Sequence, residues 1–260
     1  MLKGRRAIVT GSTSGIGEGY ARALAAAGCS VMLNGFGDPG EIEKQRAGMA
    51  AQYGVDVLYN GADLSKGEEC VALVRDAEQR LGGVDILINN AGIQFVSPIE
   101  EFPVDRWNAI IAINLSSAFH TIRAALPCMK VRRWGRIINT ASSHGLVASI
   151  NKVAYVSAKH GIVGLTKVVA LETAQTGITC NAICPGWVLT PLVKKQIEAR
   201  AQAQGASLEQ AEHDLLIEKE PSARFTTVEQ LGALAVFLCS ENASNITGAS
   251  IANDGGWTAQ

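Results

Sequence analysis

Tyr155 and Lys159 lie four residues apart, a spacing that on a helix places both side chains on one face, one turn apart. A phenol is a poor acid or base near neutral pH because its ordinary pKa is about 10. A neighbouring ammonium group favours the phenolate, so the pair could move the proton in an alcohol–ketone interconversion. Ser142 ends an apolar run upstream, where its hydroxyl could hold the reacting oxygen. Taken alone, the same spacing occurs more often in an ordinary helix with an exposed Tyr and Lys.

Alternating apolar runs and helical patterns predict the elements that would position these residues. Strands are predicted at 7–10, 29–34, 55–59, 85–89, 135–140, 178–184 and 249–252, and helices at 18–27, 38–53, 65–81, 104–130, 155–175 and 228–238. Ser65 and Glu68 are predicted to form a capping box at the start of the third helix. This alternation is typical of a parallel sheet with helices on both faces, and it predicts one doubly wound α/β domain over residues 1–260.

A polar, helix-prone excursion follows the sixth predicted strand, at 187–224. Gly205 and Ser207 separate its two helical halves. It could be a mobile lid that closes over a substrate and excludes water. A purely structural helical hairpin is the alternative.

The composition is that of a packed globular protein, with 47% hydrophobic and 18% charged residues. A net charge of -1 and an aromatic content of 5% argue against a nucleic-acid partner. The six cysteines form no C-x-x-C pair, which favours reduced thiols in a reducing compartment, and the four histidines show no metal spacing. The first strand follows the N-terminus at once, and no apolar run approaches the roughly 20 residues that span a bilayer. We therefore expect a soluble cytoplasmic protein that binds neither a metal nor a membrane.

A glycine-rich turn, Thr10-Gly-Ser-Thr-Ser-Gly-Ile-Gly17, connects the first strand to the first helix. In such a turn glycines let the backbone approach a pyrophosphate, and the helix N-terminus supplies unpaired N–H donors. A simple tight turn is an equally good interpretation of this motif alone.

Three motifs together, this turn, Asn89-Asn-Ala-Gly92 and Tyr155-x-x-x-Lys159, resemble those of the short-chain dehydrogenase/reductase family in order and spacing. Asn114 matches the family's helix asparagine, and Pro185-Gly186 its turn after a strand. The resemblance covers essentially all 260 residues. It implies a Rossmann-type, doubly wound sheet of seven parallel strands, hydride transfer with a nicotinamide cofactor, and a homotetramer paired through the long helices around 104–130 and 155–175.

The resemblance also implies a role for each matching residue. Lys159 would lower the pKa of Tyr155 and hold the nicotinamide ribose, and Ser142 would orient the substrate oxygen. Asn114 would hold a water that links Lys159 to solvent; an asparagine that bonds backbone inside a helix is the alternative. The catalytic set is therefore Ser142, Tyr155, Lys159 and Asn114. The cofactor would contact Gly11, Thr13, Ser14, Gly15, Ile16, Gly17, Phe36, Asp63, Leu64, Asn90, Ala91, Gly92, Tyr155, Lys159, Pro185, Gly186, Trp187 and Val188.

Residues 34–38, Asn-Gly-Phe-Gly-Asp, lie where the choice between NAD and NADP is made. They contain no Lys or Arg for a ribose phosphate, and Ser14 stands where many NADP-preferring members carry Arg. We therefore predict NAD. The usual acid of an NAD site is missing as well, because Asp38 lies one position late and Phe36 could simply cover the adenosine.

The segments around the predicted catalytic group carry one cation and several hydrogen-bond donors, namely Gln94, His144, Lys152 and Gln196. Together they could hold a carboxylate, and Trp187 and Trp257 could add an apolar wall. The set is similar to that of family members that act on a small 3-hydroxy acid, which implies NAD-dependent oxidation of (R)-3-hydroxybutyrate to acetoacetate. The substrate would contact Gln94, Ser142, His144, Lys152, Tyr155, Trp187, Gln196 and Trp257.

Other interpretations remain open from the sequence. Singly, His144, Lys152 and Gln196 could be ordinary loop or solvated helix residues. The enzyme could instead reduce a 3-oxoacyl thioester or a sugar-type substrate. A nucleotide-sensing protein without catalysis is also compatible with the fold, although such a protein is expected to lose the tyrosine or the lysine, and both are present.

Overall fold

The computed structural model describes residues 2–259, in which seven parallel strands form one sheet in the order β3-β2-β1-β4-β5-β6-β7. The strands are β1 Arg6–Val9, β2 Ser30–Asn34, β3 Val57–Asn60, β4 Ile86–Asn89, β5 Gly135–Thr140, β6 Ile178–Pro185 and β7 Ser250–Asn253. The α-helices are α1 Gly15–Ala26, α2 Pro39–Tyr53, α3 Gly67–Leu81, α4 Val104–Ile111, α5 Ser117–Arg132, α6 Val153–Thr173, α7 Pro191–Gln204, α8 Leu208–Ile217 and α9 Val228–Cys239.

Both faces of the sheet are buried, so successive side chains of a strand enter different cores. Val9 of β1 packs in the core that α1 and α9 cover, and its neighbour Ile8 packs in the core that α3 and α5 cover. Ile88 and Leu87 of β4 divide in the same way. Apolar side chains on both faces are the reason that these strands read as continuous hydrophobic runs.

The winding of the sheet reverses between β1 and β4, because β2 and β3 lie on one side of β1 and the later strands on the other. The loops that leave β1 and β4 therefore separate and open a crevice at the carboxyl edge of the sheet, where ligands bind in doubly wound folds. The predicted Rossmann-type fold is confirmed.

Element boundaries agree with the sequence predictions to within three residues, but the predicted capping box of α3 is wrong. The helix begins at Gly67, and Lys66 precedes it without a side-chain cap. Asp63 instead accepts hydrogen bonds from the backbone N and the hydroxyl of Ser65, at 3.0 and 2.8 Å. This local turn uses the serine hydroxyl and delays the helix by two residues.

The predicted long helix at 104–130 is interrupted by a π-helical turn, Ala112–Ser116, between α4 and α5. By length and composition, Val104–Arg132 would be sufficient to cross a membrane. Ile122 and Met129 of this helix are buried against the sheet. The core helix of a globular domain can have the same length and apolar composition. The π turn carries Asn114 and directs it toward the loop after β4.

The excursion after β6 contains the two helices that the sequence predicts, α7 and α8. Gly205 joins them in the left-handed region at φ 61°, and Ser207 caps α8 by accepting from the backbone N of Gln210 at 3.1 Å. Val193 and Leu215 belong to a small core of their own, against which Trp187 packs. The two helices thus pack on each other as a unit.

Candidate active site

A cleft of about 450 Å³ lies at the carboxyl edge of the sheet, over the point where the winding reverses. It brings together the loops that leave β1 through β6. Of the predicted site residues, the cleft is lined by Gly11, Thr13, Ser14, Gly15, Ile16, Phe36, Asp63, Leu64, Asn90, Ala91, Gly92, Gln94, Ser142, Tyr155, Lys159, Pro185 and Gly186.

The glycine loop is held tightly against the loop after β4. A Cβ on Gly11 would lie 2.9 Å from the Cα of Ala91, and a Cβ on Gly17 would lie 2.1 Å from the carbonyl oxygen of Gly11. Gly17 therefore supports the loop from behind and does not line the cleft. Ser14 precedes α1 without capping it, so the unpaired N–H groups of the first turn remain available to an anion such as a pyrophosphate.

Thr10 and Asn90 fasten the two loops to each other. The hydroxyl of Thr10 accepts from the backbone N of Asn90 and of Ala91, at 2.9 and 3.1 Å. The amide of Asn90 donates to the carbonyl oxygens of Thr10 and Gly11. The predicted Asn-Asn-Ala-Gly motif thus fixes the wall of the cleft through backbone contacts.

The end of β2 carries a structural asparagine in place of an acid. Asn34 is fully buried, and its amide donates to the carbonyl oxygens of Asn60 and Ala62 while its Oδ1 accepts from the backbone N of Gly11. Asp38 caps α2 through the backbone N of Gly40 and Glu41, at 2.9 and 3.0 Å. Its carboxylate is therefore engaged in the helix start. Among the described residues that line the cleft, Lys159 is the one cation.

Lys159 and Tyr155, the predicted acid–base pair, lie side by side, and burial is the main influence on the pKa of each. The Nζ of Lys159 donates to the carbonyl oxygen of Thr140 at 2.6 Å and lies 5.5 Å from the centroid of the Tyr155 ring. Burial lowers the pKa of Lys159 to about 8. Burial raises the pKa of Tyr155, and a hydrogen bond with Ser142 offsets only part of that rise. The expectation that Lys159 depresses the pKa of Tyr155 is wrong for the protein by itself, since desolvation of the phenolate is the larger effect.

His144 contacts Ser142, the predicted catalytic serine, through its backbone and its ring. Its backbone N donates to the Ser142 hydroxyl at 3.2 Å, and its ring nitrogens lie 3.4 Å from that hydroxyl and 2.9 Å from the hydroxyl of Ser149. The ring packs edge-on against Tyr155 at 5.9 Å. Burial lowers the pKa of His144 to about 4, with Lys152 adding to the effect, so the imidazole is neutral near pH 7. In this arrangement His144 orients Ser142; its predicted contact with a substrate remains a prediction.

Two stacked indole rings form a wall beside this group. The rings of Trp187 and Trp257 are 6.4 Å apart with planes 24° from parallel, and His144 packs edge-on against Trp257 at 5.0 Å. The Nζ of Lys152 lies 5.6 Å from the Trp187 ring, and the Nζ of Lys219 lies 5.9 Å from the Trp257 ring. Four of the predicted substrate residues therefore converge, together with Lys219, which the sequence analysis missed.

Besides Gly17 and the four residues of this wall, none of which lines the cleft, three predicted residues lie elsewhere or have another role. The Asn114 amide accepts from the backbone N of Ile93 and donates to its carbonyl oxygen, both at 2.9 Å, so it positions the loop after β4 as a backbone-bonding asparagine would. Val188 is buried in the core beneath the sheet's edge, because its side chain packs with α1 and α9. Gln196 is half-buried on α7, outside the residues that line the cleft.

Nine lining residues were not predicted, namely Asn34, Gly35, Ala62, Ile93, Ile113, Thr140, Ala141, Thr190 and Pro191. Most of them end a parallel strand or follow one directly. The rule that ligands bind at the carboxyl ends of such strands could have identified these positions from the strand predictions alone. Lys219 has no such signal, because it follows a helix that is far from the sheet in sequence.

These features place the protein among the oxidoreductases that bind a dinucleotide at the switch point of a doubly wound sheet. The chain matches the family model described as enoyl-(acyl carrier protein) reductase over residues 11–258. It is 62% identical over 260 residues to a D-beta-hydroxybutyrate dehydrogenase from Cupriavidus necator, covering 100% of both chains. It is 54% identical over 256 residues to a protein of the same name from Rhizobium meliloti, covering 98% and 99% of the two chains.

Among solved structures, a variant of actinorhodin polyketide ketoreductase with NADPH superimposes with a TM-score of 0.91 at 31% identity, covering 98% of each chain. The chain therefore belongs to the short-chain dehydrogenase/reductase family, as its motifs predict. Membership implies a nicotinamide cofactor. The uncapped start of α1 and the glycines that bring the loop close to the cleft fit its pyrophosphate.

Proposed function

We propose that this protein oxidises (R)-3-hydroxybutyrate to acetoacetate, reversibly and with NAD. The observation that carries the proposal is the contact of His144 with both the catalytic ring of Tyr155 and the wall ring of Trp257. This contact joins the acid–base group to the stacked indole rings, beside which the cation of Lys152 lies. The 62% and 54% identical relatives, both named D-beta-hydroxybutyrate dehydrogenase, support the same substrate.

The chain's own residues divide the work on a 3-hydroxy acid. Ser142 holds the reacting oxygen, and its hydroxyl is itself oriented by His144. The phenol of Tyr155 takes the hydroxyl proton in oxidation and returns it in reduction. Lys159 places a positive charge beside the phenol, and Lys152 balances the carboxylate at the other end. The cleft would hold a nicotinamide cofactor, which would supply the hydride acceptor for oxidation and the hydride donor for reduction.

The raised pKa of Tyr155 favours the neutral phenol, which is the proton donor that ketone reduction requires. Oxidation requires the phenolate as base. Positive charge near the ring favours that form, both from Lys159 and from an oxidised nicotinamide bound in the cleft. The two directions therefore place different demands on the same group.

NAD is favoured over NADP by the lining of the cleft at its adenosine end. A 2′-phosphate needs a positively charged partner, and the one cationic side chain among the described lining residues, Lys159, lies at the catalytic end. Phe36, which is exposed on the cleft, offers a flat apolar surface for an adenine. Asp63, Leu64 and Asn90 are proposed to complete the adenosine side.

The partners and setting follow from the same assignment. We propose a homotetramer in the cytoplasm, with a small 3-hydroxy acid as the substrate. The interconversion of 3-hydroxybutyrate and acetoacetate belongs to ketone body metabolism. Neither nucleic acid nor a membrane is a proposed partner, and no group of three potential metal ligands occurs within residues 2–259.

An assay of NADH formation tests the proposal directly. The purified protein would be given (R)-3-hydroxybutyrate, the (S) enantiomer and the coenzyme A thioester of the (R) acid, each with NAD and with NADP. We expect kcat/KM to be at least about tenfold higher for the (R) acid than for either competitor, because hydrogen-bonding sites reject analogues that leave their groups unpaired. Greater activity on the thioester would contradict the substrate. An NADP value equal to the NAD value would contradict the cofactor alone.

A further inference from the structure

Two lysines from distant parts of the chain meet at the stacked tryptophans. Lys152 precedes α6 and approaches Trp187, whereas Lys219 follows α8 and approaches Trp257. Among the described residues, no carboxylate lies within 4.0 Å of either ammonium group. Two cations of one sign are therefore gathered around one aromatic wall without an acidic partner.

Lys219 is exposed, but the backbone beside it is fixed because the carboxyl group of its neighbour Glu220 is buried. Glu220 is fully buried, and its Oε1 accepts a short hydrogen bond from the backbone N of Trp187. A Cβ on Gly186 would lie 2.1 Å from Oε1, and a Cβ on Gly255 would lie 3.0 Å from Oε2. The carboxyl group is thus enclosed between the exit of β6 and the C-terminal turn, which fixes where the chain leaves α8 and where Lys219 stands.

The ammonium groups of Lys152 and Lys219 repel one another electrostatically. Burial lowers the pKa of Lys152, and the charge of Lys219 lowers it further. The same two charges act on neutral His144, after burial, in lowering its pKa. Like charges held near one another beside the indole rings create a positive potential that an anion relieves.

A carboxylate suits this pair of lysines better than an anion with a single acceptor atom. Its two oxygens offer about four acceptor positions, so two ammonium groups can each bind an oxygen. The indole faces of Trp187 and Trp257 can contact the short apolar chain of a small acid. The His144 ring contacts the rings of both Tyr155 and Trp257. It therefore connects the residues proposed to bind the substrate hydroxyl, Ser142 and Tyr155, to the indole rings.

We propose that Lys219 is a second carboxylate-binding residue, supplied by the segment directly after α8. Together with Lys152 it sets the preference for a 3-hydroxy acid over a neutral alcohol. The inference rests on the proposed function and adds a residue that the helical excursion contributes. It also gives the excursion a direct role in substrate choice.

The test compares Lys219→Met, Lys219→Arg and the control Lys195→Met, which removes an exposed lysine of α7. Each is assayed with (R)-3-hydroxybutyrate and with its neutral methyl ester. We expect Lys219→Met to raise KM for the acid about tenfold, as expected for the loss of a charge-assisted hydrogen bond. Its KM for NAD and its kinetics on the ester should stay at the parent values. Lys219→Arg should recover most of the loss, and Lys195→Met should resemble the parent.

Two results would overturn the role of Lys219 without touching the proposed reaction. One is an unchanged KM for the acid in Lys219→Met. The other is an equal loss on acid and ester, which would mean that the lysine only supports the fold of the excursion. A parent enzyme that oxidises the ester as well as the acid would instead overturn the proposed substrate, and the carboxylate site with it. Lys152→Ala, which should also raise KM for the acid sharply, provides the reference for a carboxylate contact.

Discussion

At the scale of single residues, the catalytic group shows how burial sets the acid–base chemistry. The ammonium group of Lys159 donates a hydrogen bond to the Thr140 carbonyl oxygen, and burial lowers the pKa of Lys159 to about 8. Tyr155 therefore stays protonated in the protein by itself. Further positive charge near the Tyr155 ring would lower the pKa of the phenol and let it act as a base. In the proposed reaction, catalysis and cofactor binding are therefore coupled through the phenol.

Replacement of Tyr155 by Phe tests the phenol with the least structural change. The ring that packs at 5.9 Å on His144 is retained, and only the hydroxyl is lost. We expect kcat to fall by at least about 100-fold, which is the usual worth of a positioned acid–base group, while the Kd for NADH remains near the parent value. Initial rates and a binding titration measure the two quantities. Tyr53→Phe, on α2 and outside the cleft, is the control. A Tyr155→Phe rate within a few-fold of the parent would remove Tyr155 from the chemistry.

Residue types and spacing were sufficient to predict that Ser142, Tyr155 and Lys159 share one site, because they lie within one short segment, and the three do line one cleft. They also selected His144, but not its contacts with Ser149 and Trp257, which depend on how the loop after β5 folds. They also misjudged the pKa of Tyr155, since burial cannot be read from a spacing of four residues.

At the scale of elements, one carboxyl group joins the excursion to the sheet. Glu220 connects the end of α8 to Trp187, and its Oε2 is a buried oxygen without a hydrogen-bond partner in the described part of the chain. Burial raises its pKa from 4.5 to about 7, and the nearby charge of Asp254 adds to the rise. The folded protein thus holds a proton on Glu220 at a pH where the unfolded chain has released it.

This linkage has a definite sign. Between pH 4.5 and about 7 the folded state binds more protons at Glu220 than the unfolded state, so the free energy of unfolding falls as the pH rises through that window. Glu220→Gln cannot ionise and should lack this loss. We expect the variant to gain about 3 kcal/mol on the parent between pH 4.5 and 8, since one pKa unit corresponds to about 1.4 kcal/mol.

Denaturant unfolding at several pH values, at one protein concentration, measures this difference. Glu209→Gln, at an exposed position on α8, serves as the control and should track the parent. A parent-to-variant difference that stays constant from pH 4.5 to 8 would show that Glu220 ionises normally and would refute the linkage.

At the scale of the whole molecule, the sheet and its two cores leave part of α5 and α6 uncovered. Leu171 is 80% exposed, Val168 52% and Phe119 48%, all on these two helices. Large apolar side chains gathered on adjacent surfaces mark sites of association. They support the proposed homotetramer, in which the long helices of different copies pair.

Light scattering of the parent should give about four times the chain mass of 27.4 kDa. Leu171→Glu places a charge in the proposed interface, where an unpaired buried charge is costly, and should lower that mass by at least half. Leu208→Glu, at an exposed apolar position on α8, should leave the scattering mass unchanged. A parent that scatters as a single chain would contradict the tetramer.

The order and type of the elements were predictable because each strand has apolar side chains for two cores and each helix has its own pattern. Long-range polar contacts were not. Asn34 at the end of β2 fastens the chain after β1 and at the end of β3, and Glu220 reaches Trp187 across 33 residues. Such contacts carry no local periodicity, so only the folded structure reveals them.

The stacked indoles of Trp187 and Trp257 have a further consequence for spectroscopy. One ring begins the excursion after β6 and the other belongs to the C-terminal turn, 6.4 Å away. Rings this close exchange excitation energy, and their coupled transitions appear in the near-ultraviolet circular dichroism. Near-ultraviolet circular dichroism should therefore report the distance between the excursion after β6 and the C-terminal turn without any added label.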